Sequence, residues 1–343
     1  MTRVAAIDCG TNSIRLLIAD VEPGGDLQAA RGGFTEIDRR MIIVRLGEGV
    51  DRTGEFSPAA LERTFAACRA YAEVIDDTGA QRVRFVATSA SRDVSNRGQF
   101  IDGVRGILGV KPEVISGAEE ASLSFAGAVG GLADGLAPSP RLVVDIGGGS
   151  TECVLGDSAP VASFSVDIGC VRMTERHLQS DPPTDAQIEA TRVDISNALD
   201  EVERHVPLNE AASMVGLAGT VTTISAIAHR LPEYDPAFLH GSIITAEQID
   251  QVVAELLVMP RAQRAAMPVM HPGRVDVIAG GGLVLQAVVR RAGVDAVIVS
   301  ETDILDGIAR TLASGTTTSE LPEWSLTHRV SDHSGNSDAE EGV

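Results

Sequence analysis

Two stretches of sequence decide the fold, Ala6-Ile-Asp-Cys-Gly-Thr-Asn-Ser-Ile-Arg15 and Val144-Asp-Ile-Gly-Gly-Gly-Ser-Thr-Glu152. Each starts as an apolar strand, passes through a small polar turn and returns as a second strand. The two stretches align with a constant shift of 137 residues. Because several matches fall in one register, the sequence predicts an internal duplication. The matched pairs are Asp8 with Asp145, Gly10 with Gly147, Ser13 with Ser150, and Asp20 with Asp157.

The chemistry of the two turns indicates phosphate binding. A strand that ends in Asp-x-Gly, followed by small hydroxyl residues, presents successive backbone N–H groups and hydroxyls to an oxyanion. The aspartate can hold a divalent cation, and glycine permits a close backbone approach. We therefore predict a first phosphate loop, residues 8–13, and a second phosphate loop, residues 145–151. Their predicted ligands are Asp8, Gly10, Thr11, Asn12 and Ser13, with Gly147, Gly148, Gly149, Ser150 and Thr151.

The rest of the chain alternates between strand and helix patterns, which predicts an α/β protein. Ser57 and Pro58 open a helix whose apolar stripe is Leu61, Phe65, Cys68, Ala72 and Ile75. The predicted strands cover 4–8, 14–20, 42–46, 83–87, 113–115, 141–145, 152–155, 214–217, 275–279 and 296–300. Further helices are predicted over 96–108, 184–205, 221–231, 246–259 and 302–312.

The length of 343 residues fits two domains. We place a first lobe at 1–125, completed by the helix near 302–312, and a second lobe at 126–301. Residues 313–343 are rich in Ser, Thr, Asp and Glu, and we expect them to be a disordered tail.

Composition excludes several classes of function. The net charge of −20 argues against a nucleic-acid partner, which needs a basic face. No apolar run reaches the roughly 20 residues that span a bilayer, and the N-terminus does not resemble a signal peptide. The four cysteines form no Cys-x-x-Cys pair and are expected to be reduced. We therefore expect a cytoplasmic protein without nucleic-acid or membrane partners. The P-loop and G-x-G-x-x-G signatures are both absent.

Other residues could contribute to a phosphate site. In Ser116-Gly-Ala-Glu-Glu-Ala121 a carboxylate could act as a general base on water, or the acids could only complement a helix N-terminus. Glu152 is a second candidate carboxylate, because carboxylates beside a phosphate loop bind magnesium or position water. The candidate cations are Arg15, Arg92 and Arg172. The turn from Gly216 to Thr220, with Gly219 and Thr220 at its end, could contact a remote phosphate or a nucleotide, or could be only a tight connection.

The sequence resembles the exopolyphosphatase / guanosine pentaphosphate phosphohydrolase family of the actin-like ATPase superfamily. The similarity covers about residues 3–312 and is closest to the short actinobacterial form. Longer members carry a C-terminal helical extension for which this chain has no room. The motifs that carry the resemblance are residues 6–15, 87–92, 117–121, 144–152, 216–223 and 300–307.

The resemblance implies two actin-like (ribonuclease H-like) lobes with an active site in the cleft between them. It implies Mg²⁺-dependent removal of terminal phosphate from polyphosphate, short chains in particular, or from guanosine pentaphosphate. Glu120 would activate water, Asp145 and Glu152 would hold metal or water, and Asn12, Ser13, Gly148, Gly149, Ser150 and Arg92 would hold phosphates. A homodimer is expected from the resemblance alone. A small-molecule kinase of the same superfamily and an inactive phosphate or nucleotide sensor are the alternatives.

Overall fold

The computed structural model describes residues 1–22, 34–133 and 135–314. Two mixed β-sheets organise the fold. The strands are β1 Thr2–Cys9, β2 Ser13–Val21, β3 Phe34–Ile43, β4 Arg82–Ala87, β5 Glu113–Val114, β6 Arg141–Ile146, β7 Thr151–Gly156, β8 Pro160–Val166, β9 Ser213–Leu217, β10 Ile243–Thr245 and β11 Ala296–Val299. The first sheet has the strand order β3-β2-β1-β4-β5, and the second has the order β10-β11-β9-β6-β7-β8.

The two sheets repeat one connectivity, which confirms the predicted duplication. In the first, β1 pairs antiparallel with β2 and parallel with β4; in the second, β6 pairs antiparallel with β7 and parallel with β9. The register shifts between Ile18 and Ala19 in β2 and between Leu155 and Gly156 in β7. These irregularities are also 137 residues apart. The second sheet differs by its extra antiparallel edge strand, β10.

Helices cover both sheets. They are α1 Val50–Thr53, α2 Pro58–Thr78, α3 Ser89–Arg92, α4 Arg97–Leu108, α5 Gly117–Gly131, α6 Cys170–His177, α7 Asp185–His205, α8 Ala218–Ala228, α9 Pro236–Leu239, α10 Ala246–Val258, α11 Arg261–Ala265, α12 Ile278–Ala292 and α13 Ile304–Ser314, with a 3₁₀ turn at Leu208–Glu210. In the first lobe α2 and α4 pack on one face of the sheet, where Tyr71 and Phe100 are fully buried. In the second lobe α7, α10 and α12 enclose the largest core.

Helices α5 and α13 pack against each other between the sheets. The apolar face of α5 covers the second sheet through Phe125, and α13 covers the first through Ile308. A Cβ added at Gly127 would lie 1.8 Å from the Asp303 carbonyl oxygen, and one at Gly307 would lie 2.2 Å from that of Leu123. Two glycines therefore permit the close contact that brings α5, with Glu120 in its first turn, to the cleft.

Two predicted strands were wrong in position or type. The third strand is Phe34–Ile43, because residues 44–46 leave the sheet when Val44 and Arg45 donate their N–H groups to the Asn12 carbonyl oxygen. The predicted strand over 275–279 is instead a turn that leads into α12, which begins at Ile278. A short apolar run does not distinguish a buried strand from a buried helix, and the glycines 280–282 argue against a helix in isolation. Strands β8 and β10 and helix α6 were not predicted.

Among the described residues, no helix is both long and apolar enough to cross a membrane. Helix α13 continues to Ser314, and the tail beyond it lies outside the described residues. The lobe boundaries stay a prediction; residue 125, where the first lobe was predicted to end, falls inside α5.

Candidate active site

A cavity of about 100 Å³ lies between the lobes, where β1 and β6 end. Both phosphate loops line it, as do the first turn of α5 and the start of α8. The cleft between the lobes therefore brings together residues that are far apart in sequence. The predicted site residues that line the cavity are Asp8, Gly10, Thr11, Asn12, Ser13, Arg15, Glu120, Asp145, Gly147, Gly148, Ser150, Gly219 and Thr220.

The second phosphate loop has its carbonyl groups tied to α6. The Gly147 carbonyl oxygen accepts from Cys170 N, and that of Gly148 accepts from Val171 N and Arg172 N, at 2.9–3.1 Å. In a trans peptide the C=O and the next N–H point in opposite directions. The N–H groups of Gly148 and Gly149 consequently point away from α6, as an oxyanion-binding loop requires.

The first phosphate loop is held in the same manner by the segment after β3. Gly47 N donates to the Thr11 carbonyl oxygen at 2.8 Å, and Arg45 N donates to that of Asn12 at 2.9 Å. The peptide N–H groups of Asn12 and Ser13 therefore point away from that segment. Each turn is also closed by the same bond, Gly10 N to Ser13 O and its counterpart Gly147 N to Ser150 O, both 3.0 Å.

The two loops touch at the base of the cleft. A Cβ added at Gly148 would lie 2.8 Å from Thr11 Cβ, and one at Gly149 would lie 2.7 Å from Thr11 Oγ1. The Thr11 hydroxyl is 2.9 Å from that of Ser89. The glycines of the second loop are therefore required by the approach of the first loop.

Glu120 lies in the first turn of α5, and its side chain is almost completely buried. Ser116 caps the helix by accepting from Glu119 N at 3.2 Å. The Glu120 Oε2 atom accepts from Arg92 Nη1 at 2.8 Å. Burial raises the pKa of Glu120 to about 7, against the opposing charge of Arg92. A carboxylate with this pKa can take a proton near neutral pH.

Glu119, the neighbouring acid, does not enter the cavity. Its Oε1 atom accepts from Arg84 Nη2 at 2.7 Å, and Arg84 also binds Glu113 at 2.8 Å. The two glutamates of the motif therefore differ in environment. Glu119 fixes α5 to the first sheet, and Glu120 faces the site.

Asp145 and Glu152 face each other across the β6–β7 ladder. Asp145 accepts from Ser124 Oγ at 3.0 Å, and Glu152 accepts from Ser165 Oγ at 2.7 Å. Burial raises the pKa of Asp145 to about 6 and that of Glu152 well above its ordinary value, the latter with help from the charges of Glu120 and Asp145. Carboxylates crowded in this way favour a bound cation.

Arg15 lies between two carboxylates. It donates to Asp8 Oδ2 through Nε at 3.0 Å and through Nη2 at 2.6 Å, and to Asp303 through Nη1. The other Asp8 oxygen, Oδ1, is buried and has no hydrogen-bond partner in the described part of the chain. A buried carboxylate oxygen without a partner is costly unless a cation or ligand satisfies it.

Four predicted residues do not line the cavity. Arg92 binds Glu120 and the Ile115 carbonyl oxygen, and the Thr151 hydroxyl donates to the Ile168 carbonyl oxygen at 2.7 Å. Gly149 and Glu152 adjoin the cavity-lining residues Gly148 and Asp145 but are not part of the lining. Arg172, also named as a possible phosphate cation, donates to Gly149 and to two aspartates.

Arg274 is a site residue that the sequence reasoning missed. It lines the cavity and donates to the Thr223 hydroxyl at 2.8 Å and to the Met41 sulfur at 3.7 Å. Within the described part of the chain, no carboxylate forms an ion pair with it. A Cβ added at Gly219 would lie 2.2 Å from Arg274 Nη2, so that glycine makes room for the guanidinium. The preceding residue, Ala218, has φ of 63°, a strained conformation typical of functional sites.

The oxygen donors at the cavity suit a divalent cation. Among the described residues, no group of three or more Asp, Glu, His or Cys side chains could hold a metal by itself. Mg²⁺ usually takes one or two carboxylates and completes its shell with water and substrate phosphates. The crowded carboxylates of Asp145 and Glu152 are the pair that such a site would use.

A larger cavity of about 490 Å³ adjoins the first and shares Arg15, Met41, Gly219 and Arg274 with it. Its walls combine apolar side chains, among them Pro268, Val269 and Met270, with four arginines, Arg15, Arg39, Arg40 and Arg274. Tyr234 lies in one wall and donates its hydroxyl to Glu301 at 2.6 Å. The smaller cavity between the loops therefore adjoins a larger cavity whose walls are partly polar and partly apolar.

Comparison with known proteins places the chain in a family. The sequence profile of the Ppx/GppA phosphatase family matches residues 26–313. Exopolyphosphatase 2 of Mycobacterium tuberculosis is 53% identical over 322 residues, which cover 91% of this chain and 99% of that protein.

Two solved structures extend the comparison. An exopolyphosphatase-like protein is 43% identical, with a TM-score of 0.86 over 90% of this chain and 97% of that one. A PPX-GPPA enzyme of Aquifex aeolicus is 29% identical, with a TM-score of 0.74 over 90% and 99%. The predicted actin-like, two-lobe fold is confirmed, and the chain belongs to the Ppx/GppA phosphatase family.

Proposed function

We propose that this protein is an exopolyphosphatase that releases terminal phosphate from inorganic polyphosphate by attack of water. The observation that carries the proposal is the position of Glu120, a buried carboxylate with a pKa of about 7 at the edge of a cavity formed by two phosphate loops. The related mycobacterial protein, named exopolyphosphatase 2, supports the choice of substrate.

The reaction follows from the arrangement of these groups. Glu120 accepts a proton from a water molecule as the water oxygen bonds to the terminal phosphorus. The bridging P–O bond breaks, and its electrons leave on the oxygen of the shortened chain. Arg92, bound to Glu120, orients the carboxylate and keeps part of it ionised at neutral pH. Orthophosphate and a chain one unit shorter are the products.

The terminal phosphate is held between the two loops. The N–H groups of Asn12 and Ser13 in the first, and of Gly148 and Gly149 in the second, are the proposed donors. Arg274 adds a positive charge where the cavity widens. Its guanidinium suits the oxygens of the next phosphate along the chain.

Mg²⁺ is the proposed cofactor. Asp8, Glu120 and Asp145 line the cavity, whereas Arg15 is already bound to two carboxylates, so a polyanion would meet net negative charge. Asp145 and Glu152 would hold the ion, with water and the substrate phosphates completing its shell. When bound, it would neutralise charge on the phosphates and polarise the terminal phosphorus.

A second candidate substrate is guanosine pentaphosphate. The adjoining cavity of about 490 Å³ favours it, because the apolar side chains at 268–270 and the Tyr234–Glu301 pair suit a nucleoside, and arginines such as Arg39 and Arg40 suit its phosphates. In this alternative the same residues around Glu120 remove the terminal phosphate of the nucleotide.

Phosphate release tests the proposal. The purified protein is given short polyphosphate, long polyphosphate, guanosine pentaphosphate and ATP with Mg²⁺, and orthophosphate is measured over time. We expect release from polyphosphate, with short chains preferred. If no substrate releases phosphate but ATP phosphorylates a small-molecule acceptor, the protein is a kinase and the proposal is wrong.

A further inference from the structure

Helix α6 of the second lobe lies against α1 of the first lobe. Glu175 and Arg176 follow Arg172 by three and four residues, so the three side chains share one face of the helix. Glu175 accepts from the Gly49 N–H at 3.2 and 3.1 Å, and Arg176 Nη2 donates to Asp51 at 2.9 Å. This face forms the contact between the lobes behind the two phosphate loops.

Arg172 uses all three guanidinium nitrogens in this contact. Nε donates to the Gly149 carbonyl oxygen, Nη1 to Asp51 Oδ1 and Nη2 to Asp93 Oδ2, each at 2.7 Å. Its side chain is only 12% exposed. The guanidinium is therefore engaged by the protein, which leaves it unsuited to the phosphate-binding role considered from the sequence.

The three acceptors belong to different parts of the site. Gly149 is in the second phosphate loop, and Asp51 is in α1 of the first lobe. Asp93 directly follows Arg92, the residue that donates to Glu120. One side chain thus connects the second loop, the first lobe and the segment that orients the proposed base.

We infer that Arg172 is a positioning residue that fixes the second phosphate loop relative to Arg92 and the first lobe. The inference rests on the proposed function, in which both loops hold one phosphate. Because the loops already touch through Thr11, Gly148 and Gly149, a shift of one lobe would separate the N–H groups that face the phosphate. A misplacement of about 1 Å is enough to cost on the order of 100-fold in rate.

Neighbouring interlobe pairs lack this combination of contacts. Arg176 binds Asp51 and Asp194 and leaves the phosphate loop and Asp93 untouched. Arg45 binds Asp276 from the other side of the cleft, where the side chains are 36% and 32% exposed. Arg176 is therefore a matched control, an arginine on the same helix face that bonds the same Asp51.

The test compares wild type with Arg172→Gln, Arg172→Lys, Arg176→Gln, Asp93→Asn and the Arg172→Gln/Asp93→Asn double variant. Steady-state phosphate release from one polyphosphate gives kcat and KM, and thermal unfolding checks the fold. Spin labels on Glu62→Cys and Glu189→Cys, two exposed glutamates in opposite lobes, report the interlobe distance. The four native cysteines are buried.

We expect Arg172→Gln to lower kcat at least tenfold and to broaden or lengthen the interlobe distance. Arg176→Gln should stay within about threefold of wild type. Lys presents one ammonium group in place of the planar fork, so Arg172→Lys should recover only part of the loss. The double variant should be no slower than the slower single variant, since both substitutions break one connection.

Two results would overturn the inference. One is a wild-type kcat for Arg172→Gln. The other is a loss of kcat that follows thermal stability alone with an unchanged interlobe distance, which would indicate a merely structural role. If wild type releases no phosphate from any substrate, the proposed function fails, and the distance measurement still reports whether Arg172 holds the lobes together.

Discussion

Arg15 and Glu152 occupy the same position in the two copies of the duplicated unit. Arg15 faces Asp8 across the β1–β2 ladder, and Glu152 faces Asp145 across the β6–β7 ladder. They are 137 residues apart, the shift that relates the two loops. In the first copy the strand-end aspartate, Asp8, therefore faces a cation. In the second copy the strand-end aspartate, Asp145, faces a second carboxylate. The excess negative charge of the site lies on the side of the second lobe, where we propose the metal.

The rate of phosphate release should depend on pH through Glu120. The base must be ionised to take a proton, and burial raises its pKa to about 7. We therefore expect kcat to fall as the pH decreases below about 7, approaching tenfold per unit. A pH–rate profile with saturating Mg²⁺ checks this. A flat profile between pH 5 and 8 would contradict the role of Glu120.

The same pKa shift means that the ionised form of Glu120 lowers the free energy of unfolding. The unfolded chain loses this proton near the ordinary value of 4.5, whereas the folded protein keeps it until about 7. The contribution of the group to folding stability therefore falls as the pH rises from 4.5 to 7.

Glu120→Gln should consequently be more stable than wild type at pH 8, by on the order of 1–3 kcal/mol, and nearly equal to it at pH 4.5. Urea denaturation at both pH values measures the difference. Equal stability at pH 8 would show that the folded site does not disfavour the ionised carboxylate.

Arg274 should act mainly in substrate binding. Arg274→Ala removes a cavity cation that lacks a carboxylate partner in the described structure, so we expect KM for polyphosphate to rise about 10- to 100-fold, as loss of a charged hydrogen bond implies. Arg261→Ala is the control, because it removes an exposed arginine that is paired with Asp276. This variant should change KM little. Steady-state kinetics distinguish the two variants.

Gly219 should be sensitive to a single methyl group. Its added Cβ would lie 2.2 Å from the Arg274 guanidinium, so Gly219→Ala should displace Arg274 and raise KM as Arg274→Ala does. At Gly98 an added Cβ meets nothing within 4 Å, and Gly98→Ala is the matched control. A wild-type KM for Gly219→Ala would mean that Arg274 does not touch substrate.

The duplicated loops were the most predictable part of the structure. Asp8 and Asp145 lie at strand ends with glycine and hydroxyl residues after them, and this local pattern predicted both loops. Their meeting at one cleft followed from the 137-residue repeat and from the family resemblance. The turn over residues 116–120, in which only Glu120 is buried, was predictable as a helix start, but local sequence could not tell which glutamate faces the site.

Arg274 and Arg172 could not be predicted because long-range packing decides their roles. Arg274 reaches the cavity from the turn before α12. This helix was not predicted, because the glycines at 280–282 argue against a helix in isolation. Arg172 was predicted as a candidate phosphate cation, yet only the fold shows that its guanidinium donates to Asp51 and Asp93. The partners of an arginine are set by the tertiary structure, which a local motif does not contain.

The central claim is that Glu120 activates the attacking water, and one comparison tests it most directly. Glu120→Gln and Glu119→Gln change adjacent glutamates in the same helical turn, but only Glu120 lines the cavity. Phosphate release from polyphosphate is measured at pH 8 with Mg²⁺ for wild type and both variants. We predict a loss of about 10²- to 10⁴-fold in kcat for Glu120→Gln and less than tenfold for Glu119→Gln. Full activity in Glu120→Gln would contradict the account.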